Sequence, residues 1–354
     1  MKSNSKVPIH YTNASFEELN NYILKTDLSK IFILVDENTK KYCLPILKKT
    51  ALFSFSIIEI RSSELHKNLD TLQQIWKTLT VKAADRKSLL LNLGGGIITD
   101  IGGFAAAAFK RGMRFINIPT TLLGMVDASI GGKTGIDFMG LKNQIGLFAT
   151  PEMVVINKVF LQTLPTRELK SGMAEVVKYG LISDSSIWEY FKELNSSNKI
   201  SNEIIQKSID IKEKIVLADP KERGIRKILN FGHTLGHAIE THFLNKPKKE
   251  QLLHGEAVGI GMILATHLSY QTKNLPHKTL LEITSSIKSY YKNTIPKRIS
   301  KDDYTAIQEL LKHDKKNTHG KVNFILISAI GKPLLDCEVT SSEIINALDY
   351  YSNK

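Results

Sequence analysis

Three histidines in the second half of the chain have the residue type and spacing of metal ligands. His233 and His237 stand four residues apart, and side chains at that spacing project from one face of a helix. His254 follows a polar loop at residues 245–250 and opens an apolar segment, residues 257–268, that predicts a second helix. Three protein ligands and one open position are typical of catalytic metal sites. The stretch therefore predicts such a site, provided that a carboxylate joins the imidazoles.

The histidine spacing also fits two side chains packed on an ordinary structural helix, so it needs independent support. Glycines 232 and 236 precede the two histidines, and each costs a helix interior about 1 kcal/mol relative to alanine. Their presence predicts that another part of the chain approaches this backbone closely. Glu175 is the candidate carboxylate, on a helix of its own with Lys178 three residues later on the same face. A structural ion pair between Glu175 and Lys178 is the alternative interpretation.

Composition and charge restrict the classes of protein to consider. The 354 residues are 42% hydrophobic and 23% charged, which predicts a globular chain long enough for two domains. Two distant cysteines predict neither disulfides nor a cysteine metal site, which fits a cytoplasmic protein. We expect no signal peptide, no membrane segment and no membrane partner. The net charge of +13 is scattered, which is typical of a solvated basic surface rather than a nucleic-acid interface. An anionic small-molecule substrate is the other use that so many lysines can have.

The first half of the chain has the pattern of an α/β fold. Short apolar runs alternate with helical segments, as in a Rossmann-like domain with a parallel sheet; the predicted strands cover residues 30–36, 55–60, 88–93 and 115–118. Residues 62–67 are predicted to cap and open the helix after the second strand. Beyond Pro165 the periodicity becomes helical. We therefore expect an α/β domain at residues 1–165 and an all-α, metal-binding domain at residues 166–354, although residues 325–330 fit either a strand or a buried helical turn.

Glycines and hydroxyls follow the predicted strands of the first domain. Gly94, Gly95 and Gly96 lie between a strand and a helix, where backbone N–H groups can cradle a phosphate. A tight structural turn is an equally good interpretation of these glycines alone. Thr120 and Thr121 end another strand, at the sheet edge that binds ligands in open α/β folds. Lys133 follows two glycines, but the spacing is not that of a P-loop; it indicates either an anion contact or the charged tip of a loop.

Taken together, these motifs carry a family resemblance. From about Asp36 to Lys316 the chain resembles the 3-dehydroquinate synthase family of sugar phosphate cyclases. The resemblance rests on Gly94-Gly95-Gly96 with Asp100, Arg111-Gly112, Pro119-Thr120-Thr121, Asp127, Gly131-Gly132-Lys133-Thr134, Lys142-Asn143, Leu164-Pro165 with Arg167-Glu168, residues 174–180, Leu229-Asn230 with Gly232-His233-Thr234, Gly236-His237-Ala238 and His254-Gly255-Glu256.

The resemblance implies a fold, cofactors and a reaction. An N-terminal domain would hold NAD, a helical C-terminal domain would hold zinc or cobalt, and the active site would lie between them in a homodimer. Members of the family convert 3-deoxy-D-arabino-heptulosonate 7-phosphate to 3-dehydroquinate and phosphate, in the shikimate pathway of aromatic amino acid biosynthesis. A C5 alcohol is oxidised by NAD, phosphate is eliminated, the hydride is returned, and an aldol step closes the carbocycle. The reaction makes the chain a carbon–oxygen lyase acting on phosphates.

The resemblance also implies the role of each candidate residue. The metal ligands would be Glu175, His233 and His254, so that His237 contacts the substrate instead. NAD contacts would be Asp36, Asn38, Glu64, Lys67, Gly94, Gly95, Gly96, Asp100, Thr120, Thr121, Asp127, Lys142, Thr163 and Glu168. Substrate contacts would be Lys133, Asn143, Lys178, Lys212, Arg226, Asn230, His237 and Lys315, with Arg111 reaching across the dimer. The sequence departs from the family pattern at Thr99, Gly124-Met125 and Asp137, where many relatives have asparagine.

Two other enzyme classes fit much of the same pattern. One is a different sugar phosphate cyclase, and the other is a metal-dependent polyol dehydrogenase of related architecture, which would release NADH. Arg226, Asn230, His237 and Lys315 suit a substrate that carries a carboxylate, and they favour dehydroquinate formation.

Overall fold

The computed structural model describes residues 6–12, 15–194, 200–244, 246–312 and 322–353. The chain divides into two compact units, Met1–Leu169 and Lys170–Lys354. The sequence-based boundary at 165/166 coincides with the start of the helix Thr166–Ile182. This helix crosses the border between the units, which lies between Leu169 and Lys170. Each unit has its own arrangement of helices and strands.

The first unit is built on a six-stranded parallel sheet. The strands of this unit are β1 (Ile9–Tyr11), β2 (Ile31–Asp36), β3 (Ser56–Ile60), β4 (Leu89–Gly94), β5 (Arg114–Pro119), β6 (Lys133–Phe138), β7 (Leu141–Phe148) and β8 (Val154–Ile156). The sheet order is β1-β8-β5-β4-β2-β3, and β6 and β7 form a separate antiparallel pair. The chain passes from β3, on one side of β2, to β4 on the other. The strand order therefore reverses between β2 and β4, where open α/β sheets bind ligands at the carboxyl ends of the strands.

Helices connect these strands, as the alternation of apolar runs and helical segments in the sequence predicts. They are α1 (Glu17–Lys25), α2 (Glu37–Tyr42), α3 (Leu44–Lys48), α4 (Leu69–Val81) and α5 (Gly96–Ala108), with 3-10 turns at Glu64–His66, Phe109–Arg111 and Lys158–Gln162 and a π-helix at Gly124–Ala128. Strand β4 is buried along its whole length, because helices cover both faces of a parallel sheet. The predicted Rossmann-like α/β architecture of this part of the chain is confirmed.

One helix begins later than the sequence predicts. Within residues 62–67 only Glu64–His66 form a short 3-10 turn, and its N-cap Ser63 accepts a side-chain hydrogen bond from Leu65 N. Helix α4 begins at Leu69, and its N-cap is Asn68, whose Oδ1 accepts from Thr71 N at 3.1 Å. The prediction that residues 62–67 open the helix is therefore wrong. Serine and asparagine are both good N-caps, so composition alone did not identify the one that caps α4.

The second unit is mainly helical. Its elements are α6 (Thr166–Ile182), α7 (Ser185–Glu193), α8 (Asn202–Ala218), a 3-10 turn at Ile225–Asn230, α9 (His233–Leu244), α10 (His254–Lys273), α11 (His277–Tyr291), α12 (Lys301–Lys312), β9 (Asn323–Ala329), β10 (Lys332–Glu338) and α13 (Ser341–Asn353). The helical character is confirmed, and the antiparallel pair β9–β10 adds strands to the all-α domain that the sequence predicts. Ile327 N donates to Ser269 Oγ of α10 at 3.0 Å, which ties β9 to the central helix.

Two further expectations from composition can be compared with the structure. Cys43 and Cys337 are both buried and free, in agreement with the prediction of no disulfide. Among the described residues, no helix combines the length and the apolar composition that crossing a lipid bilayer requires.

Helix α10 is the core of the second unit. It is buried continuously from Gly255 to Ser269, as expected for a helix that is covered on all sides. Glycines let its neighbours approach: a Cβ on Gly236 of α9 would lie 3.1 Å from Val258 Cα, and a Cβ on Gly255 would lie 1.8 Å from Ser171 O of α6. Gly255 N also donates to Ser171 Oγ at 2.9 Å. The close approach that the glycines before the histidines predict is therefore made by α10.

We expect Gly255→Ala to lower the thermal midpoint of the protein by about 2–10 °C, because a methyl group 1.8 Å from Ser171 O overpacks the contact at a cost of about 1–3 kcal/mol. Gly259→Ala is the matched control in the same helix. Its new methyl would meet Tyr291 Cε2 at 3.4 Å, an ordinary contact, so its midpoint should be unchanged or slightly higher. Scanning calorimetry checks both, and equal midpoints would contradict the account of this helix contact.

Candidate active site

The predicted metal ligands of the second unit converge on one carboxylate. Glu175 lies on α6 and is fully buried. Its Oε1 lies 3.3 Å from His233 Nε2 and 3.5 Å from His254 Nε2. His233 is the first residue of α9 and His254 the first residue of α10. Three different helices thus bring one acid and two imidazoles together, as the sequence predicts.

His237 completes a compact group of three imidazole rings. Its ring centroid lies 5.1 Å from that of His233 and 5.7 Å from that of His254. One nitrogen from each ring can be chosen so that all three lie within 4.8 Å of one another. The geometry therefore allows two ligand sets, one with Glu175 and two histidines and one with three histidines.

The remaining polar atoms of these side chains are held by fixed partners. Glu175 Oε2 accepts a hydrogen bond from Lys178 Nζ, one turn later on α6. His233 Nδ1 lies 3.1 Å from the Phe231 carbonyl oxygen, and His254 Nδ1 lies 3.1 Å from Glu240 Oε2. Each Nδ1 thus faces an acceptor. In both rings, Nε2 is directed toward Glu175.

The charges around Glu175 keep it ionised. Burial would raise the pKa of the Glu175 carboxyl, but the Lys178 ammonium and the His233 ring outweigh burial and hold that pKa well below its usual range. Burial and the Lys178 charge lower the pKa of His233. Burial opposes the charged form of His254 as well, yet Glu240 and Glu175 raise its pKa to about 9. A metal ion binding at His254 Nε2 therefore has to displace a proton.

The donor set fits a small divalent metal ion. Oε1 of Glu175 is buried and accepts no hydrogen bond of good geometry from any residue within the described ranges. Ligand bonds of about 2.0–2.1 Å at tetrahedral angles separate the ligand atoms by about 3.4 Å, which matches the observed 3.3 and 3.5 Å. Imidazole and carboxylate are the ligands of catalytic zinc sites, which keep an open fourth position.

A second polar cluster in the first unit surrounds a buried lysine. Lys67 Nζ lies 3.1 Å from Glu64 Oε1, 3.3 Å from Asp100 Oδ2 and 3.6 Å from Asp137 Oδ1, and it donates to Asn143 Oδ1 at 2.7 Å. Burial alone would lower the pKa of Lys67, but the three surrounding carboxylates outweigh burial and raise that pKa. The structure thus brings together four predicted cofactor or substrate contacts from three distant parts of the sequence.

The hairpin of β6 and β7 adds Lys142 to the Lys67 cluster and fixes Asn143 within it. Lys142 Nζ lies 3.0 Å from Glu64 Oε1. Asn143 has a left-handed backbone with φ of 49°, and its N–H donates to Asp137 Oδ1 at 2.8 Å. Asp137, which departs from the family pattern, therefore holds Asn143 through an acceptor oxygen that an asparagine could also offer. Burial raises the pKa of Asp137, against the opposing charge of Lys67.

The glycine turn lies where the strand order reverses. Strand β4 ends at Gly94, Gly95 is the N-cap of α5, and Gly96 is its first residue. Because the N-cap is a glycine, no side chain caps the first turn of α5, which suits anion binding. A Cβ on Gly95 would lie 2.9 Å from Thr121 Cγ2, so a larger residue would fill the turn. Thr120 N donates to Gly94 O at 3.0 Å, joining the two strand ends.

The other predicted cofactor residues of the first unit are more dispersed. Asp36 ends β2 and caps α2, where its Oδ1 accepts from Thr39 N at 2.7 Å. Asn38 lies exposed on α2. Asp127 lies in the π-helix, Thr163 follows the 3-10 turn at Lys158–Gln162, and Glu168 lies in the first turn of α6.

The predicted substrate contacts are placed on several elements. Lys133 is the exposed first residue of β6, and Arg111 is exposed at the end of a 3-10 turn with φ of 64°. Lys212 is buried on α8. Arg226 is buried, with Nη1 donating to Pro220 O at 2.7 Å, and Asn230 Nδ2 donates to Glu222 Oε1 at 2.9 Å. Lys315 lies outside the described residues.

Sequence reasoning gave no role to Glu240, although a signal for it was present. Glu240 lies seven residues after His233 and three after His237 on α9, and positions i, i+4 and i+7 share one helix face. The stripe of two histidines and an acid could have marked it. Its contact with His254 was not predictable in that way, because His254 comes from another helix.

Solved structures with the same fold include several sugar phosphate cyclases. The 2-epi-5-epi-valiolone synthase of Streptomyces hygroscopicus subsp. jinggangensis, solved with NAD+ and Zn2+, matches with a TM-score of 0.86 at 24% identity, covering 99% of this chain and 97% of that one. A 2-deoxy-scyllo-inosose synthase, complexed with carbaglucose-6-phosphate, NAD+ and Co2+, matches with a TM-score of 0.83 at 25% identity, covering 97% and 96%. The protein therefore has the fold of the sugar phosphate cyclases.

Sequence comparison specifies the family within that class. A family model described as 3-dehydroquinate synthase N-terminal matches residues 57–171, and one described as 3-dehydroquinate synthase C-terminal matches residues 172–317. The 3-dehydroquinate synthase of Parabacteroides distasonis is 42% identical over 338 residues, which cover 94% of each chain. That of Acetivibrio thermocellus is 37% identical over 345 residues, covering 95% of this chain and 93% of the relative.

The chain belongs to the 3-dehydroquinate synthase family. The predicted family, and with it the predicted class of carbon–oxygen lyase, is confirmed by these relatives.

Two variants on one helix distinguish the two ligand sets. We expect His233→Ala to lose stoichiometric metal, because one of three protein ligands is removed. We expect His237→Ala to keep it, because the Glu175 set excludes that ring. Elemental analysis of the purified proteins measures both. Because His233 belongs to both ligand sets, the His237 variant decides between them, and metal loss in both variants would favour the three-histidine set and contradict the set with Glu175.

Proposed function

We propose that this protein converts 3-deoxy-D-arabino-heptulosonate 7-phosphate to 3-dehydroquinate and phosphate, using NAD and a divalent metal ion, zinc or cobalt. The observation that carries the proposal is the convergence of Glu175 Oε1 with His233 Nε2 and His254 Nε2 at 3.3 and 3.5 Å. Near full-length similarity to 3-dehydroquinate synthases supports it. The solved relatives that hold NAD with Zn2+ or Co2+ support the same cofactors.

Glu175, His233 and His254 hold the metal in this proposal. When bound, the ion supplies a Lewis acid that stabilises negative charge on a substrate oxygen. Lys178 donates to Glu175 Oε2 and keeps the carboxylate ionised, so that Oε1 stays available as a ligand. The same ammonium adds positive charge beside the substrate. His237 stands at the edge of the site, where its ring can contact the substrate and take or give a proton.

The first unit holds NAD. The turn at Gly94–Gly96 lies at the N-terminus of α5 and would bind the pyrophosphate through backbone N–H groups. Asp36 is the last residue of β2, and Glu64 lies in the 3-10 turn after β3. Both carboxylates are suited to accept hydrogen bonds from ribose hydroxyls. When bound, the cofactor supplies the acceptor and donor of a hydride. Further contacts assigned to it are Asn38, Lys67, Asp100, Thr120, Thr121, Asp127, Lys142, Thr163 and Glu168.

Cations account for recognition of a substrate with a phosphate and a carboxylate. Lys212 and Arg226 are buried, where a charged side chain gains strongly from an anionic partner. The hydrogen bond from Arg226 Nη1 to Pro220 O orients the guanidinium, whose planar fork suits a carboxylate. Lys133, Asn143, Asn230 and Lys315 are assigned to the same substrate.

The proposed working form is a cytoplasmic homodimer in which Arg111 of one copy reaches the substrate of the other. Arg111 is exposed and its backbone is left-handed, with φ of 64°. An exposed arginine is able to contact a second copy of the chain. Sedimentation of the purified protein measures the oligomeric state.

One assay distinguishes the proposed reaction from its alternatives. The heptulosonate phosphate is supplied with NAD and Zn2+ or Co2+, and phosphate, 3-dehydroquinate and free NADH are followed together. We expect equal amounts of phosphate and 3-dehydroquinate with no net NADH, because the hydride is returned. Glycerol dehydrogenases share the fold at TM-scores of 0.62–0.65 and 14% identity. Free NADH without phosphate release would identify a dehydrogenase, and phosphate release with a different carbocycle would identify another cyclase.

A substitution separates substrate contacts from cofactor contacts in the first unit. We expect Lys133→Ala to raise KM for the heptulosonate phosphate at least about tenfold, since a hydrogen bond to a charged group contributes about 1.5–3 kcal/mol. The dissociation constant for NAD, from calorimetry, should change less than about twofold. Lys77→Ala, an exposed lysine on α4, is the control and should alter neither. The reverse order of effects would assign Lys133 to the cofactor site.

A further inference from the structure

The imidazole of His254 has a buried carboxylate as its second partner. Glu240 on α9 is 5% exposed, and its Oε2 lies 3.1 Å from His254 Nδ1. The opposite nitrogen of the same ring, Nε2, lies 3.5 Å from Glu175 Oε1. The ring therefore lies between two carboxylates, one on each side.

The hydrogen bond determines which nitrogen of His254 can bind metal. An ionised carboxylate only accepts hydrogen bonds, so Nδ1 carries the ring proton and donates a hydrogen bond to Glu240 Oε2. In the neutral ring the lone pair then resides on Nε2, the atom directed at Glu175. A hydrogen bond of this kind also fixes the orientation of the ring and raises the basicity of the coordinating nitrogen.

The Nδ1 of His233 also faces a hydrogen-bond acceptor, but this acceptor is a backbone group. The Nδ1 atom lies 3.1 Å from the Phe231 carbonyl oxygen, a backbone acceptor two residues earlier in the chain. The orientation of His233 is thus set locally by the start of α9. The orientation of His254 depends instead on a side chain from another helix, and it can be altered by substitution.

We infer that Glu240 is a positioning residue for the metal site: its Oε2 holds His254 in the Nδ1–H tautomer with Nε2 directed at the ion. The inference rests on the proposed assignment of Glu175, His233 and His254 as ligands. Glu240 itself is assigned no contact with metal or substrate. Because it also joins α9 to α10 through His254, a purely structural role is the alternative that the experiment has to exclude.

The experiment measures metal affinity and folding in the same variants. The dissociation constant for Zn2+ is determined by competition with a chelator, and the thermal midpoint is measured on the metal-free protein. We expect Glu240→Ala to weaken Zn2+ binding about 10–100-fold, the usual effect of losing such a partner, with a midpoint within a few degrees of the parent. We expect a smaller loss in Glu240→Gln, because an amide oxygen still accepts from Nδ1 but lacks the charge. In the Co2+ form, the visible absorption bands of Glu240→Ala should shift as the ring reorients.

Glu256→Gln is the matched control. Glu256 is fully buried near the start of α10, and its Oε2 accepts from Leu253 N at 2.8 Å, a hydrogen bond that an amide oxygen can replace. Its Zn2+ affinity should change less than about threefold. If Glu240→Gln and Glu256→Gln lost equal Zn2+ affinity, the loss would come from removing a negative charge near the site rather than from the contact with His254. That result would overturn the inference.

The remaining outcomes are distinct. Unchanged Zn2+ affinity in Glu240→Ala with a lowered midpoint would make Glu240 structural and leave the proposed function intact. If Glu240→Ala does not fold, the Zn2+ affinities of Glu240→Gln and Glu256→Gln still test whether Glu240 positions His254. A parent protein without saturable Zn2+ or Co2+ binding would remove the proposed metal site itself.

Discussion

The ionised carboxylate of Glu175 is the constraint on which the second unit depends. A buried charge is costly unless it is paired and hydrogen-bonded, and Glu175 is fully buried. Lys178 donates a charged hydrogen bond to Oε2 of this carboxylate, while Oε1 faces two imidazole nitrogens. The helices α6, α9 and α10 must therefore meet at this point, and the glycines along their contacts allow them to do so. A metal cation bound to Oε1 would provide a second positive charge beside the buried carboxylate, in addition to the ammonium group of Lys178.

The first unit also contains a buried charged side chain, but there the buried group is a cation. Lys67 is buried, and acids from three separate segments surround its ammonium group. These contacts bind the 3-10 turn after β3, helix α5 and the β6–β7 hairpin to one point. Asn143 is held there by two hydrogen bonds, one through its side chain and one through its backbone. In both units, then, a buried charge fixes residues that are assigned to bind ligands.

Much of the architecture was predictable from local pattern. The buried strands of the parallel sheet appear as apolar runs, and the glycines before His233 and His237 correctly indicated a close backbone approach. The start of α4 was missed because two adjacent segments both offer good capping residues. The segment at β9 remained ambiguous because a short apolar run has no periodicity that separates a strand from a buried helical turn. Spacing within α9 could have marked Glu240 as a candidate, but it could not identify His254 as the partner of Glu240, because His254 comes from another helix.

The contact between Gly255 and Ser171 has a further consequence for ion selectivity. It fixes the main chain next to His254 against the helix that carries Glu175, with no space for even one added carbon atom. The hydrogen bond from Gly255 N to Ser171 Oγ joins the two helices at the same place. Calcium requires six to eight oxygen ligands at about 2.3–2.6 Å, whereas the atoms here are spaced for bonds of about 2.0–2.1 Å. In the proposed metal site, this spacing of the side-chain ligand atoms and the two imidazole ligands would disfavour large, hard cations such as calcium.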